Sequence, residues 1–303
     1  MVDGCNAQAL GTCSEAEGCN TLAVGDCSHA EGRETTASGI SAHAEGSSTI
    51  ASGVSYHTEG IGTCANGLDG VHVMGQLGGP NPAVDLPFSW YLVNGAAICD
   101  TTAVVTKILS NGSACFDSTV TASAYITAAG ACDYAEMFEI SGEELINVGY
   151  FVTFDGESDQ IRKANASDTY ILGVTSSNPG VLADTENPEC SKYLLDDWNR
   201  PIYEEVTIAA VTDSEGKVIM EERKEMRKKM NPEWDPDKKC NSRITCPDWV
   251  AVGLLGKLLV RDDGTCKAGG YCRPNDEGIA TAASEGYRVM KRTGENQILI
   301  LFR

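Results

Sequence analysis

The sequence predicts an all-β, fibre-like chain assembled from unlike parts, and three observations predict it. Glycine recurs every seven residues at positions 4, 11, 18, 25, 32, 39, 46, 53, 60 and 67. The text after residue 75 breaks into short strand-like runs separated by turn letters. Charge divides the chain unevenly, because residues 1–132 hold 12 acidic and 2 basic side chains while the remaining 31 and 21 follow. At 303 residues with only 7% aromatics, two or three units are expected rather than one large core.

The first element is the repeat. Alanine keeps the glycine spacing at 9, 16, 23, 30, 37, 44, 51 and 65, with Thr58 the exception. The true period is fourteen, since Glu17, Glu31, Glu45 and Glu59 recur at every second glycine, as do His29, His43 and His57. A coiled coil would place Leu or Ile at two positions of seven. Glycine at this density would cost a helix about 1 kcal/mol each, and flexible linkers do not keep register. What fits is a solenoid of two short strands and two glycine turns per coil, with alanine facing a narrow lumen. About five coils at ~4.8 Å would rise roughly 24 Å. So small an interior cannot offset the ordering entropy of one chain, and sibling chains are expected. The blocks SHAEG (28–32) and AHAEG (42–46), each followed by a TxASG-like stretch, resemble the head repeat of trimeric autotransporter adhesins. That resemblance covers about residues 4–74 and implies that residues 1–74 form a left-handed parallel β-roll and a homotrimeric shaft, not an activity. The stacked histidines, and Cys5/Cys19 and Cys13/Cys27 one coil apart, are of types that bind a soft metal. A solenoid repeats its residues for structural reasons anyway, and no metal or other cofactor is assigned from spacing.

Residues 75–132 form the second element, a β-rich shaft. GGPNPAVD is a loop, FSWYLVNG a strand with a turn, and AVVTKILSNGSACFDSTVTASAYI two strands around the hairpin signal Asn111-Gly112. Small residues in short strands suit threefold intertwining.

The third element opens on ACDYAEMFEI, residues 131–140. Asp133, Glu136 and Glu139 sit among Tyr134, Met137 and Phe138, a setting that raises carboxylate pKa values and suits them to proton transfer. On these ten letters alone, a strand with solvated acids on one face is the competing reading. DYAEMFE, VGYFVTFDGESDQIRKAN (148–165), YILGVTSSNPGVLAD (170–184), PEWDPD (232–237), PDWVAVGLLGKLLVRDDGTC (247–266) and CRPNDEGIATAASEGYRVMKRTGENQILILF (272–302) resemble the intramolecular-chaperone autocleavage domain of phage tailspikes and neck appendages, the peptidase G2 family. The resemblance covers about 130–303. It implies a β-rich domain, residues 133–303, that helps the trimer assemble and then cuts itself free at the start of Asp-Tyr-Ala-Glu. Carried onto this chain, the scissile bond is Cys132-Asp133, with Asp133 and Glu136 the acid/base pair and Glu139 and Tyr134 in support.

Two carboxylate routes to the Cys132 carbonyl are open. The Asp133 carboxylate reaches it through a six-membered ring, or a water activated by Glu136 attacks it while Asp133 protonates the departing amine. The water route is the preferred one. The Cys132 thiol would close a four-membered ring on its own carbonyl, and an N-to-S shift would cut one bond earlier. Three residues apart on a flat strand, the two carboxylates would face opposite ways. The motif must therefore sit in a tight turn, or one carboxylate must act on a neighbouring subunit's bond.

The rest bounds the reading. Residues 203–230 read as a protruding β-arm, with a helix from Val218 to Met230 as the alternative. Its basic run Arg223, Lys224, Arg227, Lys228 and Lys229 reads as a solvated face or a clasp on the acidic shaft rather than a nucleic-acid site. VGLLGKLL lacks the spacing of a phosphate loop. A net charge of -20 argues against nucleic acid, and the absence of an apolar span or signal-peptide pattern against membrane insertion. Thirteen Cys without paired CxxC spacing suggest a reducing assembly compartment, with Cys240, Cys246, Cys266 and Cys272 expected as buried free thiols. The function expected is a self-cleaving trimerisation chaperone on a virion tail appendage whose fibre meets a host-cell surface receptor. The alternative from another class is a non-cleaving trimeric adhesin on a bacterial surface, capped by its C-terminal domain.

Overall fold

The computed structural model describes every residue except Glu143, Lys239 and Cys240. It is all-β, with two short 3₁₀ turns among the described residues. The chain forms two compact units, Met1–Thr121 with Lys192–Lys239, and Ala122–Ser191 with Cys240–Arg303. This partition differs from the expected divisions at 74 and 132. Residues 192–239 belong with the roll, and 122–132 with the second unit.

In the first unit, Val2–Asp3, Glu15–Cys19, His29–Arg33, His43–Ser47, His57–Ile61, His72–Gln76 and Trp90–Asn94 stack in parallel. A second parallel ladder joins Gln8–Ala9, Leu22–Ala23, Thr36–Ala37 and Ile50–Ala51. Pairing brings like residues together, Ala30 beside Ala44 and Glu31 beside Glu45. The lumen is alanine, with Ala16, Ala23, Ala30, Ala37, Ala44 and Ala51 wholly buried. The parallel stack outlasts the strict period, stepping from His57 to His72 to Trp90. Longer apolar side chains then take over the interior, Val73, Tyr91 and Val93 among them.

The glycine register has a second cause besides backbone conformation. Asn6, Cys13, Asn20, Cys27, Glu34, Ser41, Ser48 and Ser55 take the left-handed turn positions, at φ between 55° and 59°, and Gly4, Gly18, Gly32, Gly46 and Gly60 hold φ between 102° and 120°. The glycines also let neighbouring coils touch. A Cβ on Gly18 would lie 2.0 Å from the Gly32 carbonyl oxygen, and one on Gly25 1.9 Å from that of Gly39. The expected glycine turns are present at Gly11, Gly25 and Gly39, whose carbonyls accept from Ser14, Ser28 and Ala42, and close backbone approach is a second demand on the same residues.

The strand Trp90–Asn94 pairs antiparallel with Val104–Ile108, which forms a hairpin with Ala114–Phe116 across Asn111-Gly112. Tyr203–Ile208 pairs antiparallel with Arg223–Lys228, and Val211–Thr212 with Val218–Met220, so the arm is strand and not helix. Rather than protruding, it lies on the roll. Ile208 and Val211 bury themselves against Leu77, Arg223 donates to Gln76 at 2.8 Å, Arg227 donates to Asn94 at 2.9 Å, and Asp213 pairs with Arg33. Alternation of apolar residues in the arm explains the difference, because an apolar face needs a partner.

The second unit centres on the thirteen-residue strand Trp249–Arg261. In sheet order run Ile161–Lys163, Phe151–Phe154, Gly173–Thr175, Trp249–Arg261, Gln297–Phe302, Tyr287–Gly294, Tyr271–Pro274 and Ala280–Ala283. Its core gathers Phe151, Val174, Leu258, Val260, Val289, Ile298, Ile300 and Phe302. Asp133–Glu139 lies alongside, antiparallel to Trp249–Arg261 and parallel to Val181–Ala183.

A reducing assembly compartment was expected, yet among the described residues Cys5–Cys19 and Cys64–Cys99 are disulfides. Each joins residues that turns and coil stacking bring within 5.0 Å Cα to Cα. Cys266 and Cys272 are buried free thiols, Cys246 is free and half-buried, and the expectation for Cys240 lies outside the described residues. Burial pushes the Cys272 thiol up to about 12. No helix is long and apolar enough to cross a membrane among the described residues.

Candidate active site

The motif strand Asp133–Glu139 is regular, and its burial alternates: Asp133, Ala135 and Met137 are buried, Tyr134 is exposed and Glu136 half-buried. The ladder irregularity beside Tyr134 and Ala135 leaves Leu254 as the extra residue, on the opposing strand. Asp133 and Glu136 therefore face opposite sides of the strand. Tyr134 shares the Glu136 side and donates its hydroxyl to Glu136 Oε1 at 2.5 Å. Glu139 sits half-buried at the strand end, paired with Trp249. The tight turn that would bring both carboxylates to one bond is absent from this strand.

Cys132 and Asp133 line a cleft of about 590 Å³ with Thr175, Ser176, Asn178, Lys257 and Lys291. Asp133 is 7% exposed, and its Oδ2 is buried without a hydrogen-bond partner. Burial pushes its carboxyl above the usual carboxylate range, while the Ser176 side chain acts the other way. Its own carbonyl accepts from the Gly180 N–H at 2.8 Å, and the Ala131 carbonyl accepts from Thr127 Oγ1 at 2.7 Å. The exposed Cys132 thiol donates to the Lys257 carbonyl at 3.5 Å. The peptide on each side of the Cys132-Asp133 bond is thus held, with the bond itself at the cleft wall.

Two glycines make that placement possible. A Cβ on Gly256, whose φ is +120°, would come 2.6 Å from the Cys132 carbonyl oxygen, and one on Gly253 would come 2.9 Å from Asp133 Oδ2. Sequence reasoning passed over both when it examined VGLLGKLL for a phosphate loop. The signal was present as two glycines inside an otherwise apolar strand, the mark of close backbone approach. Ser176 gave no signal, because its relation to Asp133 exists only in the folded sheet.

Outside this cleft, the roll gathers donor groups. His29, His43, His57 and His72 stack with ring centroids 4.8, 4.7 and 4.4 Å apart. Burial, and next the charge of neighbouring imidazoles, hold His43 and His72 below the usual histidine range.

Comparison with known proteins bears on the cleft. The Peptidase_G2 family, described as the IMC autoproteolytic cleavage domain, matches residues 92–297, more than half of the chain. A pre-neck appendage protein of Bacillus phage B103 is 32% identical over 177 residues, covering 55% of this chain and 19% of that protein. The putative phage-related protein YobO of Bacillus subtilis (strain 168) is 35% identical over 164 residues, covering 53% of this chain and 19% of that protein. The chain thus spans about a fifth of the length of these relatives. A crystallised C-terminal fragment of bacteriophage phi29 gene product 12 aligns with 56% of this chain and 100% of its own, at 31% identity and a TM-score of 0.46.

Proposed function

This chain belongs to the Peptidase_G2 family of IMC autoproteolytic cleavage domains, and from that premise we propose that it cuts its own backbone between Cys132 and Asp133 within a homotrimer, Glu136 of one copy serving the bond of another. The observation that carries this reading is the opposite facing of Asp133 and Glu136 on one regular strand, with Asp133 in the cleft and Glu136 outside it.

The chemistry is hydrolysis. Glu136 takes a proton from water, and the water oxygen bonds to the carbonyl carbon of Cys132. Collapse of the tetrahedral intermediate breaks the C–N bond as the protonated Asp133 carboxyl gives its proton to the departing amine. The products are a Cys132 carboxylate and a new amino terminus at Asp133. The raised carboxyl pKa of Asp133 supports its role as the acid. Trimer formation is supported by the alanine lumen, which leaves Leu10, Ile40 and Val54 outside at 66%, 55% and 47% exposure. The names of the phage relatives support placement in a virion appendage, where the C-terminal part would act as an assembly chaperone.

Co-expression tests the crossing of subunits. A Glu136→Gln chain alone should form intact trimers without cutting, because a carboxamide keeps the shape and cannot act as a base. Mixed with a differently tagged Asp133→Asn chain that retains Glu136, the Glu136→Gln chain should be cut, as read by intact mass. Cutting of Glu136→Gln alone removes Glu136 from the base role, and failure of the mixture to cut confines the chemistry to one chain.

A further inference from the structure

On the roll, one carboxylate stands between two imidazoles. Glu31 places Oε2 3.9 Å from His29 Nε2 and Oε1 3.8 Å from His43 Nε2. These separations exceed hydrogen-bond range. Both Nε2 atoms are buried and without a hydrogen-bond partner, although their rings are only half-buried. Buried imidazole nitrogens are ordinarily satisfied, and leaving one unmade costs free energy. Two such atoms converging on one carboxylate make a donor set of the kind that takes a cation.

We propose that His29, Glu31 and His43 form a binding site for a divalent transition-metal ion of the zinc, cobalt or nickel class. The three donor atoms lie within 4.8 Å of one another. A tetrahedral ion with ligands at ~2.0–2.2 Å sets donors about 3.4 Å apart, so modest side-chain rotation closes the set. Two imidazoles and a carboxylate suit these borderline ions better than calcium or magnesium, which take oxygen. The backbone is already ordered, because His29 pairs with His43 and Glu31 with Glu45 across adjacent strands. Two coils on, His57, Glu59 and His72 repeat the donor types, but His57 Nε2 is engaged by Glu45 at 3.3 Å. In that second set only His72 Nε2 lacks a hydrogen-bond partner, whereas in the first both imidazole nitrogens do.

Titration of the full chain with Co²⁺, its thiols alkylated beforehand, tests the site. Saturable binding is expected, with the visible spectrum of nitrogen and oxygen ligation, and at least one equivalent should be lost in both Glu31→Gln and His43→Asn. A Glu222→Gln chain should bind as the parent does. In the unsubstituted chain, Zn²⁺ should shift the imidazole NMR signals of His29 and His43 more than those of His57 and His72, a readout that no variant's folding can disturb. Absence of saturable binding, unchanged stoichiometry in both variants, or equal shifts at all four histidines overturns the proposal.

Discussion

Asp133 concentrates the tension at the residue scale. Its carboxyl is buried, with Oδ2 unpartnered, so its folded pKa lies above the unfolded value. Between those two values the folded state holds more protons, and stability falls as pH rises through them. Above the folded pKa the whole penalty is present. Asp133→Asn is therefore expected to raise the melting temperature of the intact chain at pH 7, with the gain vanishing as pH drops below the usual carboxylate range. A melting curve that shows no pH-dependent gap removes burial as the cause. The same protonation keeps the acid loaded, so cutting should slow as pH climbs past the raised value. The carboxylates proposed for this site could be picked out in the letters, because Asp-Tyr-Ala-Glu places them in sequence. Gly253, Gly256 and Ser176 were less so, since each matters only through a strand partner far along the chain. Gly256→Ala should impair cutting more than Cys132→Ser, as the added Cβ strikes the scissile carbonyl while a hydroxyl in place of the exposed thiol strikes nothing. Intact mass after fixed incubation compares the two.

At the scale of elements, the roll shows what a period can and cannot disclose. The fourteen-residue register was visible because every coil meets the same neighbours, so one set of contacts dictates residue type many times over. Its physical reason was not visible, since turning and close approach both ask for glycine. Gly25→Ala separates them: its Cβ would lie 1.9 Å from the Gly39 carbonyl oxygen, at a position without a positive φ. A cost on the order of 3 kcal/mol is expected from backbone clash alone. Ser41→Gly, at a left-handed turn position, should be near neutral or mildly stabilising, because glycine adopts that φ freely. Thermal unfolding of the two variants measures the difference, and equal losses would return glycine to the turn. The roll's extension to Asn94 escaped the period because its later coils lengthen and exchange alanine for Val and Tyr.

For the whole molecule, the decisive fact is that the proposed cut falls between parts of the chain that the first unit holds together. Residues 192–239 follow the bond in sequence yet pack with residues 1–121. Charge alone would make this a salt-sensitive attachment, since the shaft is acidic and the arm carries a basic run. The contacts say otherwise. Arg223 and Arg227 both pair with Glu225 of their own strand, and Lys224 with Glu205 of the strand beside it. The ion pair between arm and roll has the opposite sense, with Arg33 on the roll and Asp213 on the arm, while Lys192 pairs with Asp117 at 2.7 Å in a half-buried setting that salt screens weakly. Beside these pairs lies apolar burial of Ile208 and Val211 on Leu77, with neutral acceptors at Gln76 and Asn94. Screening over about 10 Å at 0.1 M salt weakens exposed charges and leaves such burial intact. After cutting, residues 1–132 and 133–303 should therefore sediment together in both 0.1 M and 1 M salt. Leu77→Ala, which removes about 2–5 kcal/mol from a buried apolar contact, should let them part. Residues 1–132 expressed alone should misassemble at any ionic strength, because the Leu77 face is left uncovered. Separation driven by 1 M salt alone would restore charge as the clasp, and native trimers from residues 1–132 alone would leave the arm a passenger on the roll.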